Sequence, residues 1–201
     1  MSNIEPINQT KLFGLDKFIN ELIYLFECGK LPSKILLSGP KGIGKSTLAF
    51  HFINYVLSKN EDFNYDTKIF EIKIDNHSFK TVLNKSNPNL ILIDVSSEKK
   101  SIDINQIREL ILNLNKSAFN KKPRFVLIDN IEFLNTNSVN ALLKVIEEPS
   151  YNVHFILINN NKKIPSTLSS RCINFKVFLS HNECLDVASK LLDKKLIQIT
   201  L

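Results

Sequence analysis

A glycine-rich segment near residue 40 carries the clearest chemical signal in the chain. Residues 39–46 read Gly-Pro-Lys-Gly-Ile-Gly-Lys-Ser and satisfy the GxxxxGK[ST] pattern of phosphate-binding loops. Three of the five glycines in the chain fall here, so a chance glycine-rich turn explains the segment poorly. Glycines let several backbone N–H groups point at one phosphate, and Lys45 is expected to reach the β- and γ-phosphates of ATP. The predicted nucleotide-binding residues of this loop are Gly39, Pro40, Lys41, Gly42, Ile43, Gly44, Lys45, Ser46 and Thr47.

A second polar signal stands at the end of an apolar run. Residues 125–128 are Phe-Val-Leu-Ile, and Asp129 follows them directly. A carboxylate in this position has the form of a Walker B element, which holds the water shell of Mg²⁺ in P-loop proteins. Many buried strands end in Asp because this residue favours turns, but the phosphate loop favours the functional interpretation. The Ser46 hydroxyl and Asp129 are therefore the predicted Mg²⁺ ligands.

The hydrophobic pattern predicts the elements that position these groups. The phosphate loop lies between a short strand of the buried type at 34–38 and a helix, as its motif requires, and an amphipathic helix at about 15–26 precedes them. Further strands are predicted at 89–95, 124–128, 153–158 and 172–178, with helices beginning near Asp103, at Asn135 and near His181. Residues 60–88 are interpreted as a variable insertion, with a possible strand at Ile69 to Ile74 and a short helix after Asn76. Repeated strand–helix units with nearly continuous apolar strands predict an α/β fold in three layers, αβα, around a five-stranded parallel sheet.

Bulk composition narrows the class of protein. The chain has 201 residues, of which 43% are hydrophobic and 23% charged, enough for one substantial core. Its longest apolar runs are too short to cross a bilayer, so no membrane partner is expected. Three widely spaced cysteines without a CxxC pair fit reduced thiols in a cytoplasmic protein. The lysines are scattered, so the formal net charge of +6 does not by itself indicate nucleic-acid binding.

Several motifs surround the loop and the acidic strand end. They are Phe13-Gly14, Gly29-Lys-Leu-Pro32, GPKGIGKSTLA at 39–49, NPNL at 87–90, NALLKVIEEP at 140–149 and Ser170-Arg171-Cys172. Together they resemble the clamp-loader subunits of bacterial DNA polymerase III, a family of the AAA+ class, and most of all its delta-prime members. The resemblance covers about residues 12–178, and its NALLK and SRC motifs are more specific than the phosphate loop alone.

The resemblance assigns roles to particular residues. Arg171 matches the SRC arginine finger, which reaches into the nucleotide site of a neighbouring subunit, so it is the predicted catalytic residue in trans. Asn159 falls where the family has its sensor-1 polar residue and is predicted to contact the nucleotide, although an Asn-rich turn after a strand needs no nucleotide to explain it. Hydrolysing AAA+ proteins usually carry a glutamate directly after the Walker B aspartate, and this chain has Asn130 there. Glu132 is a poor substitute because it is predicted to project from another side of the chain.

The resemblance also implies an organisation and a function. It predicts an AAA+ domain at residues 1–179 and the beginning of a helical lid at 180–201, where the sequence stops inside the lid. We expect a delta-prime-like subunit that binds ATP and Mg²⁺, hydrolyses ATP poorly and lends Arg171 to a motor subunit. Its expected partners are the motor and delta subunits in a hetero-oligomer, with the sliding clamp and primed DNA reached through the complex. The alternative is an autonomous AAA+ ATPase, such as a motor-type clamp-loader subunit or another P-loop NTPase; a DNA-binding initiator is disfavoured because no basic recognition helix is present.

Overall fold

The computed structural model describes residues 5–95, 101–117 and 119–199, with side chains as far as residue 191. Residues 1–4, 96–100, 118 and 200–201 of the two predicted domains therefore lie outside the described residues. The strands are β1 (Lys34–Ser38), β2 (Leu90–Ile93), β3 (Arg124–Ile128), β4 (Val153–Asn159) and β5 (Ile173–Lys176). The helices are α1 (Asp16–Glu27), α2 (Lys45–Ser58), α3 (His77–Leu83), α4 (Ile104–Leu114), α5 (Thr136–Glu147), α6 (Ser166–Ser169) and α7 (His181–Ile199), and single 3₁₀ turns span Pro6–Asn8 and Ile131–Phe133.

Within the described residues, five strands form one parallel sheet in the order β2-β3-β4-β1-β5. The strand that leads into the phosphate loop is therefore internal, with Leu36 opposite Leu157 of β4 on one side and Asn174 of β5 on the other. Because all strands run the same way, the carboxyl ends of β1, β2, β3 and β4 open onto one edge of the sheet. The sheet thus brings the phosphate loop and Asp129 to the same edge, as the sequence predicts.

Alternate residues of each strand face two separate hydrophobic layers. Ile35, Leu37 and Phe125 pack with α1, α2 and α3 on one face of the sheet. Leu36 and Val126 pack with α4, α5 and α6 on the other face. Burial of both faces explains why the strands read as continuous apolar runs, and it confirms the predicted three-layer α/β fold.

Local signals place the helix ends. Asp103 Oδ1 accepts from the backbone N–H of Gln106 at 3.2 Å, and Gln106 Oε1 accepts from the Asp103 N–H at 3.0 Å, so the predicted capping box of α4 is confirmed. Asn135 caps α5 by accepting from the N–H of Ser138 at 2.9 Å. In the described part of the chain, no helix has both the length and the apolar character needed to span a membrane.

The predicted strand at Ile69 to Ile74 is wrong. Phe70 adopts φ +51°, and the Asp66 side chain accepts from two backbone N–H groups, of Lys68 at 2.9 Å and Ile69 at 3.3 Å. These bonds close a turn, and Glu71 forms isolated antiparallel bridges with Asp66 and Lys11 rather than a strand of the sheet. The alternation of apolar residues does not mark a strand here, because Ile72 packs into the hydrophobic layer of α1, α2 and α3 while Ile74 stays exposed. The helix predicted after Asn76 is confirmed as α3, with the Asn76 side chain as its N-cap.

Candidate functional site

The phosphate loop owes its shape to glycines at three positions. Gly42 and Gly44 adopt φ values of +84° and +97°, a region where a Cβ atom is strained. A Cβ on Gly39 would collide with the backbone carbonyl of Val177, which follows β5. Gly44 is also the N-cap of α2 and has no side chain to bond the first N–H groups of that helix. The positive end of a 14-residue helix therefore faces the loop with donors available for a phosphate.

Lys45 is buried inside the loop, with 3% of its surface exposed. Its ammonium donates to the carbonyls of Gly39 at 2.9 Å and Pro40 at 2.6 Å. Burial lowers the pKa of this ammonium, while the nearby charges of Asp129 and Glu132 act in the opposite direction. A phosphate in the loop would supply the anion that this buried cation needs.

Ser46 and Asp129 meet as the sequence predicts. The Ser46 hydroxyl donates to Asp129 Oδ2 at 2.5 Å, although the two residues lie on α2 and after β3. Burial is the largest influence on Asp129 and raises the pKa of its carboxyl group, and the neighbouring Asp94 acts in the same direction. Because the hydroxyl hydrogen points at the carboxylate, the lone pairs of Ser46 Oγ stay available to a metal ion. This pair of hard oxygens fits Mg²⁺, which would supply the charge that screens a bound triphosphate.

A cavity of about 530 Å³ lies over the loop, within the range of ligand-binding pockets. Loop residues 41–47 line the cavity together with Asp129 and Asn130, and Asp129 contacts Ser46 of the loop. The remaining wall comes from the N-terminal segment, around Leu12 and Phe13, and from α7, through Val187 and Leu191. This part of the lining is mainly apolar, with Gln9 and Lys11 as polar members, and it suits a flat heterocycle, whereas the loop part is polar and suits phosphates.

Four polar side chains form a chain of hydrogen bonds beside the cavity. Asn130 Nδ2 donates to Asp94 Oδ1 at 2.8 Å, and Asn160 Nδ2 donates to Asn130 Oδ1 at 2.8 Å. Asn160 Nδ2 also donates to Glu132 Oε1 at 2.9 Å. The two N–H donors of the Asn160 carboxamide are thus used, one by the Asn130 amide oxygen and one by the Glu132 carboxylate. Asn130 itself adopts φ +56°, a left-handed conformation that Asn tolerates better than most residues.

Sequence reasoning did not select Asp94 or Asn160, although both line the cavity. Asp94 follows an apolar strand in the same way as Asp129, so the same signal was present in the sequence. The predicted sensor, Asn159, is 7% exposed, and its side chain bonds both backbone groups of Lys162, at 2.9 and 3.2 Å. Its contact with nucleotide remains a prediction, and in this structure it is Asn160 that lies on the cavity wall.

Arg171 lies away from this cavity, in the turn between α6 and β5. Its Nε and Nη2 atoms donate to Glu147 Oε1 at 3.1 and 2.7 Å, and its Nη1 donates to the Thr167 carbonyl at 2.8 Å. The neighbouring Cys172 packs against the core on the α4–α5 side of the sheet, and burial raises the pKa of its thiol to about 11. Arg171 is thus not among the residues that line the cavity of its own chain, and its action in trans stays a prediction.

Comparison with known proteins places the chain in a family. A family model described as "DNA polymerase III, delta subunit" matches residues 14–179. The chain is 34% identical over 161 residues to DNA polymerase III subunit delta' of Buchnera aphidicola subsp. Baizongia pistaciae, covering 76% of this chain and 46% of that protein. It is 30% identical over 192 residues to the subunit gamma of Buchnera aphidicola subsp. Schizaphis graminum, covering 94% of this chain and 50% of that protein. The chain thus spans about half the length of these two relatives.

Solved structures agree on the fold. The chain resembles the RuvB Holliday junction branch migration motor of Thermotoga maritima with a TM-score of 0.53 at 18% identity, covering 94% of this chain and 56% of that one. It resembles a DNA polymerase III gamma subunit-related protein of the same organism with a TM-score of 0.52 at 18% identity, covering 84% and 46%. The family match extends over nearly the whole segment that carries the sequence motifs, and the chain therefore belongs to the delta-type DNA polymerase III subunits, a clamp-loader family of the AAA+ class.

Proposed function

We propose that this chain acts as a delta-prime-like clamp-loader subunit, which holds ATP and Mg²⁺ but contributes little hydrolysis of its own. Lys45 would hold the β- and γ-phosphates, while Ser46 and Asp129 would hold the metal ion and its water. The apolar half of the cavity would take the nucleobase. The buried ammonium, the open N-terminus of α2 and the Ser46–Asp129 pair support this binding mode.

The observation that carries the proposal is the environment of Asn130. This residue stands directly after Asp129, and its carboxamide is held between Asp94 and Asn160. An amide cannot accept a proton from an attacking water, so the group next to the metal site is no general base. Nucleotide binding without efficient turnover follows from an intact loop combined with this substitution.

Arg171 would supply the catalytic contribution in trans. Its planar cation can meet a γ-phosphate through two parallel N–H bonds, a geometry that lysine cannot reproduce. We infer that it projects into the ATP site of a motor-type subunit, in a cytoplasmic hetero-oligomer that also contains a delta subunit. That assembly would place the sliding clamp on primed DNA.

Two measurements on the purified chain test the proposal. Titration with a fluorescent ATP analogue in the presence of Mg²⁺ should give saturable binding, and Lys45→Ala should abolish it. Steady-state phosphate release should stay far below the turnover of about 1 s⁻¹ or more that is common for enzymes. Turnover near that rate, abolished by Lys45→Ala, would refute the proposal.

One observation favours the alternative of an autonomous ATPase. Glu132 is two residues beyond the usual position of the base, yet it is held by Asn160, which lines the cavity, and its charge reaches Lys45. If it activates water, Glu132→Gln should abolish turnover and leave ATP binding unchanged. The proposed function expects no change in turnover from this substitution.

A further inference from the structure

The ion pair between Arg171 and Glu147 connects two of the sequence motifs. Glu147 belongs to NALLKVIEEP at the end of α5, and Arg171 belongs to the SRC triplet after α6. One carboxylate oxygen accepts from both Nε and Nη2, at 3.1 and 2.7 Å, so the side edge of the guanidinium faces Glu147. A third donor, on Nη1, is taken by the Thr167 carbonyl at 2.8 Å. Of the five N–H groups of the guanidinium, two therefore have no partner among the described residues and can meet an external anion.

The backbone on which Arg171 sits is fixed by its neighbours. Leu168, on the preceding helical turn, is 1% exposed and belongs to the hydrophobic layer of α4 and α5. The Arg171 N–H donates to the Leu168 carbonyl at 3.3 Å, and Cys172 packs against the same layer. The side chain beyond Cβ is instead partly exposed, at 36%. Its direction therefore depends on the two polar partners, Glu147 and Thr167.

The position of Glu147 has no explanation in the packing of its own helix. Its side chain is 50% exposed and lies in the last turn of α5, where the partial negative charge of the helix end repels a carboxylate. Buried contacts of α5 are made by Leu142 and Ile146 instead. An exposed ion pair of this kind adds little to global stability. Global stability therefore does not account for this pairing.

We propose that Glu147 is a positioning residue for Arg171. It holds the side edge of the guanidinium so that the remaining donors point outward, toward the phosphate of a nucleotide bound by a neighbouring subunit. This inference rests on the proposed role of Arg171 in trans. Preorganisation of one flexible side chain reduces the rotamer freedom that is lost when the neighbour docks.

ATP turnover in a complex reconstituted with a motor-type subunit tests the proposal. Arg171→Ala should give the largest loss. Glu147→Ala should lower turnover about fivefold, and Glu147→Gln should lower it less, because its amide oxygen still accepts from the same two donors. Combining Glu147→Ala with Arg171→Ala should add nothing to the single Arg171→Ala change. The matched control is Glu148→Ala, which removes the same charge from the same helix end.

The outcomes separate the two proposals. No effect of Arg171→Ala, or no complex at all, would remove the proposed action in trans. A clear Arg171→Ala defect with unchanged or higher turnover in Glu147→Ala would leave that action intact and overturn the positioning role. The isolated chain gives an independent readout by NMR, since exchange of the Arg171 Nε–H with water should be slow in the wild type and accelerate in Glu147→Ala. Equal exchange rates in the two proteins would also overturn the positioning role.

Discussion

The buried histidine of α2 should make the stability of the protein depend on pH. His51 is fully buried, and its Nε2 lies 3.2 Å from the carbonyl of Gln9 while its Nδ1 lies 3.0 Å from the Tyr65 hydroxyl. Since a carbonyl only accepts, Nε2 carries the hydrogen of the neutral ring and Nδ1 accepts from Tyr65. Burial lowers the pKa of His51 from 6.5 to about 4.

The sign and size of the effect follow from this shift. The folded state keeps the ring neutral at pH values where the unfolded state already binds a proton, so stability is present above pH 6.5 and is lost as the pH falls toward 4. At pH 5 the loss is about 2 kcal/mol, and by pH 4 it approaches about 3 kcal/mol, which is a large part of the free energy of unfolding of a typical domain. Burial also lowers the pKa of His154, which adds to the loss in the same direction.

Urea unfolding of the wild type and His51→Gln at pH 7.5, 6.5, 5.5 and 4.5 measures this effect. Glutamine keeps a donor and an acceptor but does not titrate, so the variant should be less stable at pH 7.5 and its deficit should shrink by about 2.5 kcal/mol as the pH falls to 4.5. The exposed His77→Gln is the matched control and should follow the wild-type curve. A deficit of His51→Gln that stays constant across the series would refute the reasoning.

Three further outcomes follow from the site. Gly39→Ala should weaken ATP binding at least tenfold and lower the melting temperature, because its methyl group meets a backbone carbonyl that cannot rotate away, and nucleotide titration with thermal unfolding measures both. Asp129→Asn should abolish the Mg²⁺ dependence of nucleotide affinity, measured by titration with and without EDTA; an unchanged dependence would remove this residue from the metal site. Cys172 should react with a thiol reagent at pH 8 far more slowly than the exposed Cys28, because its pKa is raised to about 11. Peptide mapping of the labelled cysteines measures both rates, and faster labelling of Cys172 would contradict the prediction.

The sheet and the pairing of Ser46 with Asp129 could be predicted from the sequence because both depend on local signals. Buried parallel strands read as apolar runs, and β1 and β3 begin and end at the predicted residues, Lys34–Ser38 and Arg124–Ile128. Asp129 could be assigned because the motif on α2 implies an acidic partner at the same edge of the sheet. The strand prediction for Ile69 to Ile74 was wrong because hydrogen bonds from the Asp66 side chain to the backbone, rather than the spacing of apolar residues, determine the conformation there.

The polar neighbours of Ser46 and Asp129 could not be predicted in the same way. Asn159 and Asn160 are adjacent and identical in type, so their different roles depend on where β4 ends. Asn159 bonds the backbone of the following turn, whereas Asn160 lines the cavity. The pairing of Arg171 with Glu147 joins two helix ends whose distance no spacing rule encodes. Contacts between distant segments are set by packing, which a single sequence does not reveal.

The strand order has a consequence for the way in which the chain reaches its native state. The two neighbours of β1 are β4 and β5, in which Lys34 pairs with Phe155 and Ile35 with Ile173. Neither ladder of β1 can form before these more C-terminal strands are present. Such pairings between distant segments are entropically costly and slow folding. During synthesis the first strand emerges long before its partners and exposes an apolar segment without a ladder. The phosphate loop, though encoded early, can therefore acquire its shape only when the SRC segment and the strand after it have left the ribosome.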